Sequence, residues 1–586
     1  MCGIVGYIGY RRADDVIVSA LKRLEYRGYD SWGLAVVNNN KLDVHKEVGG
    51  IGESEGHQME GTMGIGHTRW ATHGKPSQIN AHPHLDCDKR LAVVHNGIIE
   101  NFQSLKEKLT KEGHNFVSDT DTEVLAHLLE NNGNGDIPSI IPHLRGSYAM
   151  VAINSSERKI TACRYKSPLI LGIGDNEYFV ASDIPAVLEY TNRIIHLEDG
   201  DIAVLMDSGY EIMNGGEKVD REIEIVPWSL EDAEKGGYEH FMLKEIHETP
   251  KVIEDTIRGQ VTETIDLDIS FAVGASELFF VACGTSYHAA LVGKYIVEEM
   301  SGIPVRVEYA SEFNYHYIPL SRSLVVGITQ SGETADTLEA LKKAKGFGAR
   351  ILAITNVLGS SVTRIADQVI YTRAGPEIGV AATKTFIAQL IAIYMIAAKF
   401  SMMSRNETDE FILQLKMLPQ KTKEILDDED SIREIGEMLA DFDNMMYMGR
   451  GVGFPIALEG ALKMKEISYI HAEGYPAGEL KHGPFALLGE HTPVISSLVQ
   501  DDTYEISLSN IKEVTARDSL VIAIAEEGDK EVEKYVDYVL RSPKVDKVFV
   551  PVTHSIILQL LAYHTARKRG CEIDKPRNLA KSVTVQ

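Results

Sequence analysis

Cysteine is scarce in this 586-residue chain. Its five copies, Cys2, Cys87, Cys163, Cys283 and Cys571, are odd in number, scattered, and contain no Cys-x-x-Cys pair. That spacing argues against a disulfide framework and against a zinc ribbon, so no metal is expected. Positive charge is also short: 59 Lys and Arg stand against 85 Asp and Glu, a formal charge of −26. Such a surface repels a phosphate backbone, and nucleic acid is not an expected partner, although a local nest of backbone N–H groups can still hold a small anion. Long apolar runs are missing as well. The most apolar stretch, 386–398, contains Gln389 and is closed by Lys384 and Lys399, too short for the ~20 residues a membrane helix needs. It reads as a buried helix. No charged n-region followed by an apolar h-region opens the chain, so a cytoplasmic protein without a membrane partner is expected.

What is present is ordinary globular material, 44% apolar and 25% charged, in a chain about four times the ~150 residues of a typical domain. Two to four domains follow. Residues up to about 230 read as a β-rich layered domain, with apolar or alternating runs at 4–8, 34–37, 91–94, 148–153 and 202–205 and helical patterns at 14–24 and 122–129. An acidic, glycine-containing break at 229–237 precedes a predicted helix over 238–258. Beyond it, apolar strands at 278–282, 323–328, 350–354 and 368–371 alternate with helices, the βαβ signature of a parallel sheet.

The second half repeats itself. Ile351-Leu352-Ala353-Ile354 matches Val521-Ile522-Ala523-Ile524, Ala366-Asp367-Gln368-Val369 matches Val536-Asp537-Tyr538-Val539, and Thr383 through Leu390 matches Thr553 through Leu560, each offset by 170 residues. Two copies of one α/β domain are implied, joined by a helical stretch at 406–442. The copies differ where chemistry would sit: Thr329-Gln330-Ser331-Gly332-Glu333-Thr334 is replaced by Val499-Gln500-Asp501-Asp502-Thr503-Tyr504, and the aspartates would repel an anion.

Cys2 follows the initiator Met directly. Removal of Met1 would put a thiol and a free α-amine on one residue, and an amine with a pKa of ~8 can take the proton of a thiol whose reference is ~8.5. Alone, Cys2 is as well read as a small residue of no consequence, and Asn96-Gly97 as a tight turn. Together with the Met1–Gly6, Tyr26–Ser31, Gly66–Gly74, His95–Gly97 and Ser118–Glu123 motifs, they resemble the class II glutamine amidotransferases, whose fold is the αββα N-terminal nucleophile (Ntn) hydrolase. The resemblance implies Cys2 as nucleophile, Asn96 and Gly97 as oxyanion donors, and a glutamine site formed by Arg69, Trp70, Thr72, His73 and Asp121. A planar cation for a carboxylate and a carboxylate for an ammonium suit such a zwitterion. Trp70 also matches the family's gating tryptophan, where a core aromatic is the plainer reading. His67, His73, His82, His84 and His95 crowd this region. His82-Pro83-His84 has no accompanying Cys or carboxylate ligand set, so these rings are expected to shape the site or to be structural rather than to hold a metal.

Cys283-Gly284-Thr285-Ser286 and Thr329–Thr334 each sit between a predicted strand and a predicted helix, where a phosphate binds readily and where a helix cap is the plain alternative. These loops resemble sugar-isomerase (SIS) domains. With Glu377–Ala381, Glu459–Lys463, Lys465–Ser468, Gly478–Pro484 and the tail 574–586, nearly the whole chain resembles the glutamine:fructose-6-phosphate aminotransferase (isomerizing) family. That resemblance implies two substrates, glutamine and fructose 6-phosphate, no cofactor, and a homodimer in which His482 serves the neighbouring sugar site. It further implies Thr285, Ser286, Thr329, Gln330, Ser331, Thr334, Val380, Lys463 and Ala580 around the phosphosugar, Lys581 as Schiff-base lysine, Glu466 as proton carrier, and His482 in ring opening. Without it, Lys463 and Glu466 are an i,i+3 helix pair and Lys581 a solvated tail lysine. The expected organisation is a glutaminase domain at 2–235, a linker helix and first SIS domain at 236–405, connecting helices and a second SIS domain at 406–570, and a catalytic tail at 571–586.

Two rivals differ in kind. A glutaminase with a diphosphate or ATP-dependent acceptor would need phosphate machinery, and no Walker-type loop occurs. A phosphosugar sensor would need neither Cys2 nor Lys581. The amine-base chemistry makes one prediction of its own: intact mass of active protein is expected to lack Met1, and active protein retaining it would exclude that base.

Overall fold

All six residues of Gly3–Ile8 are buried, as an apolar strand covered on both faces requires. In the computed structural model, which describes all residues except 1, 53–57, 72, 132–134, 229–230, 273, 316, 318–319 and 585–586, this strand runs antiparallel between Met63–Arg69 and Tyr178–Ala181. It lies inside an eight-stranded sheet. A seven-stranded sheet built on Leu91–Ile99, Gly146–Asn154 and Lys159–Tyr165 faces it. The layer between them is aliphatic, with Ile4, Ile8, Ile65 and Val180 from one sheet meeting Val94, Val151 and Ala203 from the other. Helix Ala13–Lys22 packs on the first sheet. Helix Glu123–Asn131 covers the second through Val124, Leu125 and Leu128. The result is the αββα layering expected of an Ntn hydrolase.

The chain divides into two units: Met1–Glu234 with Glu333–Ala335 and Ala580–Gln586, and Lys235–Gly332 with Asp336–Leu579. The second unit carries two five-stranded parallel sheets. In the first, Val305–Tyr309, Glu277–Ala282, Ser323–Ile328, Arg350–Thr355 and Gln368–Tyr371 lie side by side. In the second, His471–Pro476, Asn444–Gly449, Val494–Ser497, Val521–Glu526 and Tyr538–Ser542 take the same places. Both read 2-1-3-4-5 in chain order, so the repeat seen in sequence is a repeat of topology.

The duplication reaches individual atoms. Asp367 accepts the N–H of Ile351 at 2.8 Å and donates its own N–H to the Ile351 carbonyl at 2.8 Å; Asp537 does the same with Val521 at 2.7 and 3.0 Å. Each aspartate therefore closes the start of a fourth strand, satisfying an N–H the ladder leaves open. Ser301 and Ser468 likewise both bond the carbonyl four residues earlier and accept the N–H two residues later.

Helix Lys384–Phe400, the expected buried helix, has every residue from Lys384 to Ala397 buried. A second helical stretch, Lys547–Lys568, is long and apolar enough to cross a membrane, yet 94% of its most apolar window is buried inside the protein. The connecting segment forms helices Arg405–Asp427 and Glu429–Leu439, the former opened by a Ser404–Glu407 capping box. One element departs from expectation. The predicted helix over 238–258 is two helices, Phe241–His247 and Thr249–Ile257, the second opening with Pro250 in its first turn, where a missing N–H costs no helical hydrogen bond.

Asp367→Ala and Asp537→Ala are each expected to cost about 1–2 kcal/mol, since each strands a charge-assisted acceptor's partner N–H. Hydrogen exchange at the Ile351 and Val521 amides is expected to accelerate in the respective variant and to stay unchanged in the other.

Candidate active sites

The strand register sets the first site. Because Gly3 pairs with Thr68, Cys2 at the start of one strand lies beside Trp70 at the end of the next. The Trp70 N–H points at the Cys2 Sγ over 3.2 Å, and the sulfur is 3.5 Å from the Trp70 carbonyl. Burial pushes the Cys2 thiol above its ordinary pKa, with the Trp70 N–H and the Arg69 and Arg27 charges opposing. At neutral pH the group therefore rests as a thiol, and attack needs a base.

Asn96 enters from the facing sheet. Its Nδ2 donates to the Cys2 carbonyl at 2.9 Å, while its Oδ1 lies 3.1 Å from His67 Nε2. The same His67 nitrogen is 3.0 Å from the His95 carbonyl. A carbonyl only accepts, so His67 carries its proton on Nε2, and that donor fixes which way the Asn96 amide faces. Gly97 follows with φ +125, and a Cβ there would sit 2.0 Å from the Ser147 carbonyl oxygen. Only glycine lets the strand bend at this point.

Asp121 is buried and accepts the Ile99 N–H at 2.9 Å. Its segment is held from both sides by Thr120 Oγ1 to His84 Nε2 and by Thr122 Oγ1 to His95 Nδ1, each 3.0 Å. Arg69 is turned onto the loop that follows it, donating to the carbonyls of His73 and of Gly74, the latter at 3.0 Å. Trp70 is half-buried, edge-on to Tyr29 with centroids 5.8 Å apart. Thr72 lies outside the described residues. Sequence reasoning missed the group behind the thiol: Arg27 donates to the Cys2 carbonyl at 3.3 Å and to Asp183 at 2.6 Å, and Tyr26 also reaches Asp183 at 2.6 Å. The Tyr26-Arg27 motif was visible in sequence, but Asp183 lies 156 residues away from Arg27.

The second site lies within the duplicated unit. Thr285 stands in the first turn of helix Gly284–Ser301 and Lys463 on helix Gly453–Ser468. Lys463 is 1% exposed. Its Nζ donates to Thr285 Oγ1 at 3.0 Å and pairs with Glu466 at 2.6 Å and Glu459 at 3.4 Å. Thr285 Oγ1 also lies 3.1 Å from Glu459, whose other oxygen takes His288 Nδ1 at 2.7 Å. Burial opposes the lysine's charge, but Glu466 and Glu459 outweigh it and hold Lys463 above its ordinary value. Glu459 and His288 were not predicted as site residues, although Glu459 and Lys463 stand at helical i,i+4 spacing.

Around this cluster, Ser286 follows Thr285 in the same helical turn, and Thr329, Gln330 and Ser331 form the turn after the third strand. Thr329 Oγ1 accepts the Gly332 N–H at 3.2 Å, and the Gln330 carbonyl takes the Asn356 N–H at 3.1 Å. Val380 donates its N–H to the Asp574 carbonyl at 3.0 Å. His482, itself exposed, ends a short helical turn anchored by buried Ala477 and Leu480 and takes no part in the Lys463 hydrogen bonds. Thr334, Ala580 and Lys581 belong to segments grouped with the first unit.

A glutamine amidotransferase domain model matches residues 48–229, and a SIS domain model matches twice, at 273–399 and 438–568. Two curated relatives, both called glutamine--fructose-6-phosphate aminotransferase [isomerizing], come from Caldanaerobacter subterraneus subsp. tengcongensis, 49% identical, and Thermococcus kodakarensis, 48% identical. Each match spans the whole of both chains. The chain belongs to this family. Among solved structures, the C-terminal domain of glucosamine-fructose-6-phosphate aminotransferase from Francisella tularensis is 38% identical at a TM-score of 0.56, covering 58% of this chain and 99% of that one. Membership fits both halves of the resemblance read from sequence.

The histidines of the first site give its pH dependence. Burial lowers His67 to about 3, and lowers His82, His84 and His95 as well. Above pH ~6.5 these rings are neutral folded or unfolded and contribute no slope. Below it the unfolded chain binds protons that the folded chain refuses, so stability falls with pH by about 1.4 kcal/mol per unit for each such ring. The unfolding midpoint of the glutaminase unit is expected to drop steeply between pH 6.5 and the folded values, and His67→Asn to flatten that slope. A pH-independent midpoint in this window would show the rings protonated in place.

Proposed function

We propose that this protein converts fructose 6-phosphate and L-glutamine to glucosamine 6-phosphate and L-glutamate, the entry step of hexosamine synthesis, as its family relatives are named for doing. The observation that carries the reading is that a single chain holds both a strand-terminal cysteine under a backbone N–H and an asparagine amide, and a phosphosugar-type fold in which buried Lys463 pairs with half-buried Glu466.

In the glutaminase half, Arg69 binds the substrate carboxylate and Asp121 its ammonium, with Trp70, Thr72 and His73 as walls. The Cys2 sulfur attacks the side-chain amide carbon while the α-amine takes the thiol proton. Asn96 and the Gly97 N–H stabilise the oxyanion, a contact worth several kcal/mol per donor. Collapse releases ammonia and leaves a thioester, which water hydrolyses to glutamate. Ammonia is mostly protonated at pH 7 and no longer nucleophilic in that form, so its transfer must avoid bulk water.

In the SIS half, Thr285, Ser286, Thr329, Gln330, Ser331 and Thr334 hold the phosphosugar, mainly by its phosphate, with Val380, Ala580 and Lys463 beside the sugar chain. Lys581 condenses with the C2 ketone and loses water, and ammonia then displaces it at C2. Glu466 moves a proton between C1 and C2 to complete the ketose-to-aldose change. Lys463 pairs directly with Glu466 at 2.6 Å and so holds this proton carrier in place. His482, exposed on its own chain, opens the sugar ring in a neighbouring subunit, so a cytoplasmic homodimer belongs to the same proposal. We place the working parts at 2–235, 236–405, 406–570 and 571–586.

The test uses glutamine labelled with ¹⁵N only in its side-chain amide, together with fructose 6-phosphate. Labelled glucosamine 6-phosphate is the expected product, abolished in Cys2→Ala and Lys581→Ala. Glutamate without amino sugar would reassign the acceptor, and phosphosugar binding without either product would make the protein a sensor.

A further inference from the structure

Away from both sites, four side chains with metal-binding atoms converge in the glutaminase unit. Cys87 lies in the turn between strands His84–Leu85 and Leu91–Ile99, His114 follows helix Phe102–Lys111, and His127 and Glu130 stand one turn apart on helix Glu123–Asn131. One ligand atom from each lies within 4.8 Å of all the others. The Cys87 sulfur is 3.7 Å from His114 Nδ1 and 3.6 Å from His127 Nδ1, while Glu130 Oε2 is 3.0 Å from the first nitrogen and 3.2 Å from the second. A tetrahedron with metal–sulfur, metal–nitrogen and metal–oxygen bonds of ~2.3, ~2.05 and ~2.1 Å has S···N edges of about 3.6 Å and N···O edges of about 3.4 Å. The two S···N and two N···O edges lie within about 0.4 Å of those values, and the set as a whole lies within 4.8 Å.

We propose that Cys87, His114, His127 and Glu130 bind one zinc ion in a closed tetrahedral, structural site. Both imidazoles present Nδ1, leaving Nε2–H to be oriented from behind. His127 Nε2 is buried without a hydrogen-bond partner among the described residues and faces Glu123 Oε1 over 3.8 Å. Glu123 is itself anchored by the Val117 and Ser118 N–H groups, both at 2.8 Å, and by Ser118 Oγ at 2.7 Å. A carboxylate behind a ligating histidine is the usual outer partner of a zinc site. Four protein ligands leave no open position, which separates a structural from a catalytic zinc.

Binding forms one metal–sulfur, two metal–nitrogen and one metal–oxygen bond and breaks the Cys87 S–H bond, whose proton passes to solvent. Thiolate and carboxylate together neutralise the dication. The ion would clamp three segments: the turn leading into the strand that carries Asn96 and Gly97, the end of the helix after it, and the helix that begins just after Asp121. The expectation of no metal rested on the missing Cys-x-x-Cys pair. This set escapes that rule, since Cys87 and His127 are 40 residues apart and only folding brings them together.

The test is metal analysis of the full-length protein, produced with zinc in the medium and dialysed into metal-free buffer. About one zinc per chain is expected, falling to background in Cys87→Ser and His114→Ala. Glu123→Gln keeps all four ligands and is expected to weaken zinc about 10- to 100-fold in a chelator competition. Because ligand variants can misfold, wild-type protein reconstituted with cobalt supplies an independent readout: intense visible bands of four-coordinate cobalt with a thiolate-to-metal charge-transfer band are expected. Zinc content unchanged in Cys87→Ser, no zinc above background in the wild type, or the weak spectrum of six-coordinate cobalt would each overturn the site.

Discussion

A lysine ammonium cannot be left alone in a low-dielectric interior, and Lys463 is buried to within 1% of full enclosure. Its burial is tolerated because two carboxylates and a hydroxyl meet it there. One partner, Thr285, comes from the first copy of the duplicated fold, and the other two share the lysine's own helix in the second copy. The neutralisation therefore fixes how the two copies pack, and it places Glu466 where its charge is held by a cation. Glu459 extends the demand to His288. Replacing Lys463 removes the cation that both carboxylates share, whereas loss of either carboxylate still leaves the lysine the other one.

The glutaminase unit solves a different problem with the same economy of parts. A strand beginning at residue 3 must have its end groups satisfied, and the Cys2 carbonyl receives both Arg27 and Asn96. Those bonds hold Cys2 in place while its sulfur lies against the Trp70 backbone N–H and carbonyl. Neutral histidines surround the region. His67 and His82 stack with centroids 4.0 Å apart, an arrangement that charged rings would not keep. Neutral rings and the Trp70 backbone thus surround the thiol alongside the charges of Arg69 and of the Arg27–Asp183 pair.

Much of this was readable before folding. Apolar strands, their alternation with helices and the 170-residue repeat gave a β-rich layered domain followed by a duplicated α/β domain, while the Ntn hydrolase and SIS assignments and the expected roles of Cys2, Asn96 and Lys463 came from resemblance to known families. Partners did not. Asp183 and His288 lie far in sequence from Arg27 and Glu459, and a single sequence holds no signal that pairs them. The helix over 238–258 was misjudged in continuity because its apolar pattern runs through Pro250. Which nitrogen of His67 holds the proton needed the geometry of two acceptors.

The matched aspartates Asp367 and Asp537 also bear on how this architecture could diverge. Gln559 on the later core helix donates its Nε2–H across to the Thr383 carbonyl at 3.3 Å, and the side-chain oxygens of both Gln559 and the equivalent Gln389 are buried with no hydrogen-bond partner among the described residues. The two copies are alike in scaffold and unlike in detail. In an assembly of identical separate chains, a substitution in the anion loop would appear in every copy at once. Fusion into one polypeptide removes that constraint: one lobe can keep Ser331 and Gly332 while its twin carries Asp501 and Asp502, each inherited independently, with the tether holding both at high effective concentration.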